Sequence, residues 1–352
     1  MPAVSDSVWS AQDTHPDEID SALRRLLAER HAESSAFVPG RVLNLVCVVD
    51  AEWSGEIANR LRGVGRYHAS RTVVCAVEPG RETLDATASV VADSVPGENA
   101  IAMTRETVIV KCGPRHLANL DSIVDPLVVT DLATVVWSPH GHEDALRSLL
   151  HLAQVVLLDS IDEPDAGKAL RRASSLSEQA YVVDLAWLRG TPWRERVAAS
   201  FDPRRWRPEL SRISALTIRH HRESRVSALL LAGWLASRLD WRPGTLTAQS
   251  AGYAGRLRAP RGEVLLTLES VAQDTRGLAG VTVETAAGMS LSLDRGVGGL
   301  RAVRRSPREP DKAWTVLGAS RGEPGILGEG IRQGLLRDPT YRPALAAAEA
   351  ML

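Results

Sequence analysis

Short apolar runs alternate with helical stretches through the first half of the chain. VLNLVCVVD (42–50) reads as a buried strand, EWSGEIANRLRGVG (52–65) as a helix and RTVVCAVE (71–78) as the next strand. ENAIAMT (98–104) and ETVIVKC (106–112) are two further strand candidates, followed by a helix near 114–128. TVVWS (134–138), a helix over 143–153, QVVLLDS (154–160), a helix over 166–176 and AYVVDLAW (180–187) complete the series. Continuous apolar strands separated by helices predict an α/β domain over 41–180, built on a mainly parallel, Rossmann-like sheet covered on both faces. Ahead of it, Ile19, Leu23, Leu26 and Leu27 recur at helical spacing behind the start signals Thr14, Pro16 and Asp17. They predict an N-terminal helical arm within 1–40, which either packs on its own domain or docks on a partner.

The pattern changes after Trp193. A helical WRERVAASF leads to a strand over 213–221 and a strong helix over 224–239, then to short strands over 263–270, 280–286, 289–295 and 299–305. Strands separated by tight turns predict an antiparallel sheet, hence an α+β domain over 181–352 with a helical tail from Pro324.

A length of 352 residues fits roughly two domains of ordinary size. Forty-two basic against 43 acidic residues give a net charge of -1, so no overall field draws the chain to nucleic acid or an anionic membrane. The longest apolar run, 228–236, is far short of the roughly 20 residues of a spanning helix. The first residues show neither a basic opening nor an apolar stretch, and the expected location is cytoplasmic. Cys47, Cys75 and Cys112 cannot all pair; each sits in an apolar run, as a buried reduced thiol or a redox switch.

The search for chemistry is mostly negative. The first strand-to-helix turn, 49–55, has no G-x-G-x-x-G and places Asp50 and Glu52 where a phosphate would lie. G-x-x-x-x-G-K is absent, and the glycine-rich run 296–299 lies between strands and reads as a turn. His140 and His142 offer two imidazoles but no third ligand at metal spacing, so an exposed turn with helix-start acids is the alternative. Ser160 lacks a nucleophile elbow, which leaves Asp159, Ser160 or Asp162 as helix caps. No catalytic residue, cofactor or metal is expected.

Two clusters remain. Arg219, His220, His221, Arg222 and Arg225, with Glu223, form a basic corner between a strand and a helix, either a solvated turn or a contact for an anion or acidic partner. The denser one runs over 184–194. There Asp184 is placed to pair with Arg189 or Arg194, Trp187 and Trp193 to pack between the domains, and Thr191-Pro192 to start a helix. Arginine and tryptophan are the types most enriched where proteins grip other proteins, so Trp187, Arg189, Trp193 and Arg194 are partner-binding candidates, with the 219–225 corner as a second region.

The segment 184–194 resembles the D-L-A-W-x-R-x-x-P-W-R signature of the OpcA family of glucose-6-phosphate dehydrogenase assembly proteins. Upstream, His68-Ala69-Ser70-Arg71 is similar to that family's H-P-S-R step, 131–137 to its D-L-P-x-x-x-W-W step, and Val155 to Ser160 to its strand ending in Asp-Ser. Ala69 and Ala133 stand where proline is usual, and Ser138 replaces the second tryptophan. The resemblance covers about 40–210 and implies a non-catalytic protein that binds glucose-6-phosphate dehydrogenase, promotes its active oligomer and raises its activity in the oxidative pentose phosphate pathway. In cyanobacterial relatives a thiol switch accompanies that control, but its cysteines do not map onto Cys47, Cys75 or Cys112. The rival reading is a sugar-phosphate- or nucleotide-binding enzyme or sensor on a doubly wound sheet.

Overall fold

A computed structural model describes residues 7–33, 41–64, 70–93, 103–317, 322–334 and 336–352. Most of ENAIAMT, together with His68 and Ala69, lies outside them. The chain forms two compact units, Met1–Leu158 with Gln179–Val183, and Asp159–Glu178 with Asp184–Leu352.

The first unit contains β1 (Ser7–Ala11), α1 (Pro16–Glu33), β2 (Leu43–Asp50), α2 (Ser54–Val64), β3 (Ser70–Val77), β4 (Asp85–Asp93), β5 (Met103–Cys112), α3 (Asp121–Val124), β6 (Thr134–Trp137), α4 (Glu143–Leu149) and β7 (Val155–Leu158). Its eight-stranded sheet has the order β1-β4-β5-β3-β2-β6-β7-β8, with β8 spanning Tyr181–Asp184. β5, β3, β2, β6 and β7 run parallel, whereas β1 and β4 pair antiparallel at one edge. The sheet is therefore mixed. Val46, Val48, Val74 and Val136 of the central strands are fully buried, as continuous apolar strands require. α1 buries Ile19 and Leu23 within the same unit.

Buried polar residues fix the loops. Asn44, fully buried, donates to the carbonyls of Val129 and Leu132 and accepts from the Val129 N–H at 2.9 Å. Arg71, from the H-A-S-R step, donates to Glu106 at 2.7 Å and to the Leu127 carbonyl at 3.1 Å, while Arg41 holds the other Glu106 oxygen. Glu106 is 1% exposed, so removing either arginine would leave a buried carboxylate short of partners.

The second unit contains α5 (Ala166–Gln179), α6 (Leu185–Arg189), α7 (Thr191–Phe201), β9 (Ile213–His221), α8 (Arg225–Arg238), β10 (Thr247–Gln249), β11 (Gly252–Ala259), β12 (Gly262–Val271), β13 (Leu278–Thr285), β14 (Ser290–Gly296), β15 (Gly299–Ser306), β16 (Glu309–Leu317), α9 (Gly322–Gly334) and α10 (Tyr341–Glu349). The strands form a second sheet in the order β10-β11-β12-β9-β13-β14-β15-β16, antiparallel except where β12 runs parallel to β9. α8 is buried nearly all round, from Val226 to Ala236, because it packs against both this sheet and α10. A Cβ on Gly233 would stand 2.1 Å from the Ala344 carbonyl oxygen, so only glycine lets these two helices come this close.

Several elements depart from the sequence expectation. AYVVDLAW is a strand only to Asp184, whose carboxylate accepts the Ala186 N–H at 2.9 Å and turns the chain into α6. The helix expected over 114–128 is one short helix flanked by 3-10 turns at Pro114–Asn119 and Asp125–Leu127. None of Asp159, Ser160 and Asp162 caps α5; Asp165 does, accepting the N–H groups of Gly167 and Lys168. The apolar pattern does not mark β1, β4, β10, β11 or β16.

Candidate partner-binding site

In the first unit the chain order reverses between β2 and β6, where doubly wound sheets usually bind nucleotides. The strand ends are already occupied by side chains. The Asp50 carboxylate lies 2.9 Å from His142 Nε2, the Asp50 N–H donates to His140 Nδ1 at 2.9 Å, and Trp53 meets the His140 ring edge-on. Among the described residues no group of three or more His, Cys, Asp or Glu is arranged to hold a metal, and no helix is long and apolar enough to cross a membrane.

The three cysteines are free and buried. Burial raises all three thiols well above their ordinary range, Cys112 to about 11. A thiol kept protonated at neutral pH is a poor nucleophile.

The nine partner-binding candidates fall into separate settings within the second unit. Trp187, 3% exposed, donates its indole N–H to Asp338 at 2.8 Å and meets the Tyr341 ring at 5.4 Å. The Arg194 guanidinium lies 3.4 Å over the Trp187 ring and donates to the Trp187 carbonyl and the Thr191 hydroxyl. Burial lowers the Arg194 pKa to about 10, partly offset by Asp338 and Glu195. Burial pushes the Asp338 carboxyl up, but hydrogen bonds from Thr340 and Trp187 and the nearby Arg194 bring it below its ordinary value. Trp193 is also interior.

Neither charge pair expected at Asp184 forms. Arg189 instead holds Asp159 at 2.7 Å. Asp184 accepts from the Ser160 hydroxyl at 2.6 Å, the Ser160 N–H at 3.1 Å and the Tyr341 hydroxyl at 3.1 Å. Burial, aided by Asp159, pushes its carboxyl up to about 6 against the pull of the Ser160 and Ala186 hydrogen bonds.

The 219–225 corner divides by strand alternation. Arg219 lies on one face of β9, donating to Thr282 at 3.1 Å and pairing with Asp294 at 2.7 Å. A Cβ on Gly280 would stand 2.6 Å from both Arg219 and Asp294, so glycine admits this pair. His220, 3% exposed, points to the opposite face, and burial lowers its pKa. His221 accepts the Glu223 N–H through Nδ1. The Arg222 side chain is 80% exposed, and Arg225 lies 4.4 Å over the Tyr253 ring. A cleft of about 250 Å³ is lined by His220, Arg222, Glu223, Arg225, Tyr253 and Glu163.

The structure thus brings Trp187 and Arg194 into one interior brace, buries Trp193 on α7, and brings His220, Arg222 and Arg225 to one cleft. Arg219 belongs to the opposite sheet face. Asp338, Tyr341 and Tyr253 were missed, because their partners lie far away in sequence and no local pattern marks them.

Comparison with known proteins covers both units. A family model described as the glucose-6-phosphate dehydrogenase subunit N-terminal domain matches residues 62–175, and one described as its C-terminal domain matches 180–345. A protein of Synechococcus elongatus bearing the OxPP cycle protein OpcA name is 25% identical over 51% of this chain and 41% of its own length. A Synechocystis protein of the same name is 29% identical over 39% of this chain and 30% of its own. The chain thus matches less than half the length of these relatives. A solved oxidoreductase from Sinorhizobium meliloti covers 89% of this chain and is itself covered over 97%, at 12% identity and a TM-score of 0.48, too distant to carry any argument. With both halves matched by its paired domain models, the chain belongs to the OpcA family of glucose-6-phosphate dehydrogenase assembly proteins.

Proposed function

We propose that this chain is a non-catalytic cytoplasmic partner of glucose-6-phosphate dehydrogenase that promotes its active assembly and raises its activity in the oxidative pentose phosphate pathway. The observation that carries this reading is the pair of domain models, both described as a subunit of that enzyme, which together span most of the chain. The mechanism is linkage. A partner that binds the substrate-competent form better than the idle form shifts the population by that difference, about tenfold for each 1.4 kcal/mol.

Burial and exposure support a division of work among the candidate residues. Exposed Arg222 and the half-buried, ring-stacked Arg225 are the contact residues, since planar cations held by neighbouring groups bind acidic surface with little loss of rotamer freedom. Trp187 and Arg194 brace the signature segment internally, Trp193 adds a buried ring to it, and Arg219 stiffens the sheet.

Mixing purified chain and dehydrogenase tests the proposal by light scattering and steady-state kinetics. The expected result is a complex at micromolar concentration and a kcat/KM that rises to saturation with added chain. No complex, or unchanged kinetics with only slower thermal inactivation, contradicts it.

A further inference from the structure

The largest cavity described in the second unit has no role in that reading. It is a basin of about 740 Å³ formed by α6, α7, the start of α8, the loop before β13, the β14–β15 turn and α9. That volume suits a small molecule. Its lining holds five arginines against two glutamates. Three of these arginines are committed to carboxylates: Arg189 to Asp159, Arg276 to Glu223 and Asp162, and Arg332 to Glu329.

The other two are not. Arg295 donates through Nε and one terminal nitrogen to the Leu278 carbonyl and pairs with no carboxylate among the described residues. Arg196 has a buried Nε with no hydrogen-bond partner among them. A second unpartnered group lies among the lining residues: Ser227, 5% exposed, has a hydroxyl that no described residue engages. Leaving a buried donor unpaired costs about 1–3 kcal/mol, so orphans gathered around one cavity mark where a polar ligand would repay the cost. Gly296, Gly298 and Gly299 line the rim, where the missing Cβ lets a ligand approach the backbone.

We propose that this basin binds a small organic anion carrying a phosphate group, of sugar-phosphate to mononucleotide size, with Arg196 and Arg295 pairing the phosphate and Ser227 supplying a hydroxyl. Phosphate suits the donor set better than carboxylate alone, because its several oxygens can accept from two guanidinium groups at once, Arg295 offering the terminal N–H groups that the Leu278 carbonyl leaves free. The desolvation that lowers the Arg295 pKa strengthens its pairing with an incoming anion.

Titration calorimetry and thermal shift on the full chain, with no dehydrogenase present, test the site independently of the proposed partner. The probes are inorganic phosphate, ribose 5-phosphate and adenosine monophosphate, with ribose and adenosine as uncharged controls. Saturable binding by at least one phosphate-bearing probe and none by the controls is expected, with Arg295→Gln and Arg196→Gln each weakening it about tenfold or more. Arg295→Lys, which keeps the charge but loses the fork, is expected to fall between, and it reports on the site if a glutamine variant fails to fold. No saturable binding of any phosphate probe up to about 10 mM, equal binding of the uncharged controls, or affinity untouched in folded variants overturns the proposal.

Discussion

The signature segment 184–194 and the corner 219–225 both concentrate arginine and aromatic or imidazole rings, yet they differ in what those groups face. In the first, the Arg194 cation is spent on an indole of its own unit and the indole N–H on Asp338. In the second, Arg222 faces solvent and Arg225 rests on a tyrosine at the lip of a cleft. Composition that marks a protein interface also builds interiors, and Arg304, 7% exposed over Trp206 at 4.3 Å, repeats the internal use. The residues that carry the resemblance are in large part interior ones in this chain: Arg71, Trp137, Ser160, Asp184, Trp187, Trp193 and Arg194 are all buried.

Substitutions on each side break or sharpen this contrast. Trp187→Ala should have the largest effect, destabilising the chain by about 3–5 kcal/mol by opening a cavity and stripping partners from Asp338 and Arg194, as read from the urea midpoint. A shift below about 1 kcal/mol would place Trp187 outside the brace.

Asp184 makes stability pH-dependent. Its folded pKa of about 6 lies above the ordinary carboxylate value of 3.8, so the unfolded chain releases this proton first as pH rises. Stability should therefore fall between about pH 4 and 6 by roughly 3 kcal/mol, and level off above. Asp184→Asn should flatten that slope because an amide does not titrate, and it should still fold because the Ser160 and Tyr341 hydroxyls can turn to accept from the amide. Urea midpoints of both proteins across this window measure the difference.

Gly233→Ala should cost about 1–3 kcal/mol or more, since the new methyl meets a backbone carbonyl rather than a yielding side chain. Arg222→Ala should have the smallest effect on folding, within about 0.5 kcal/mol, while weakening dehydrogenase binding several-fold. If Arg222→Ala leaves that affinity unchanged and a folded Arg194→Lys variant abolishes it, the assignment of contact and brace is reversed.

How much was legible follows from the range of the interactions. The strands over 42–50, 71–78 and 134–138 announced themselves because both faces are buried and the apolar run is continuous. β4 hid because DATASVVAD mixes small polar residues into a strand with one buried face, and β11 because GYAGRLRA has only Leu257 fully buried. Asp184, Trp187, Arg189 and Arg194 stand out as a group in the sequence, but their partners do not: Arg189 reaches Asp159 and Asp184 reaches Tyr341, pairings that local spacing does not encode. The basin was invisible for the same reason, since Arg196, Ser227 and Arg295 meet only through the fold.

Reciprocity tests the central claim most directly. The affinity of this chain for glucose-6-phosphate dehydrogenase should be measured with and without saturating glucose 6-phosphate, using both the native chain and Arg295→Gln to exclude an effect through the basin. If the chain favours the substrate-competent enzyme, substrate must tighten the complex by the same factor by which the chain tightens substrate binding, in both proteins. An affinity indifferent to glucose 6-phosphate would contradict the account and leave a passive scaffold.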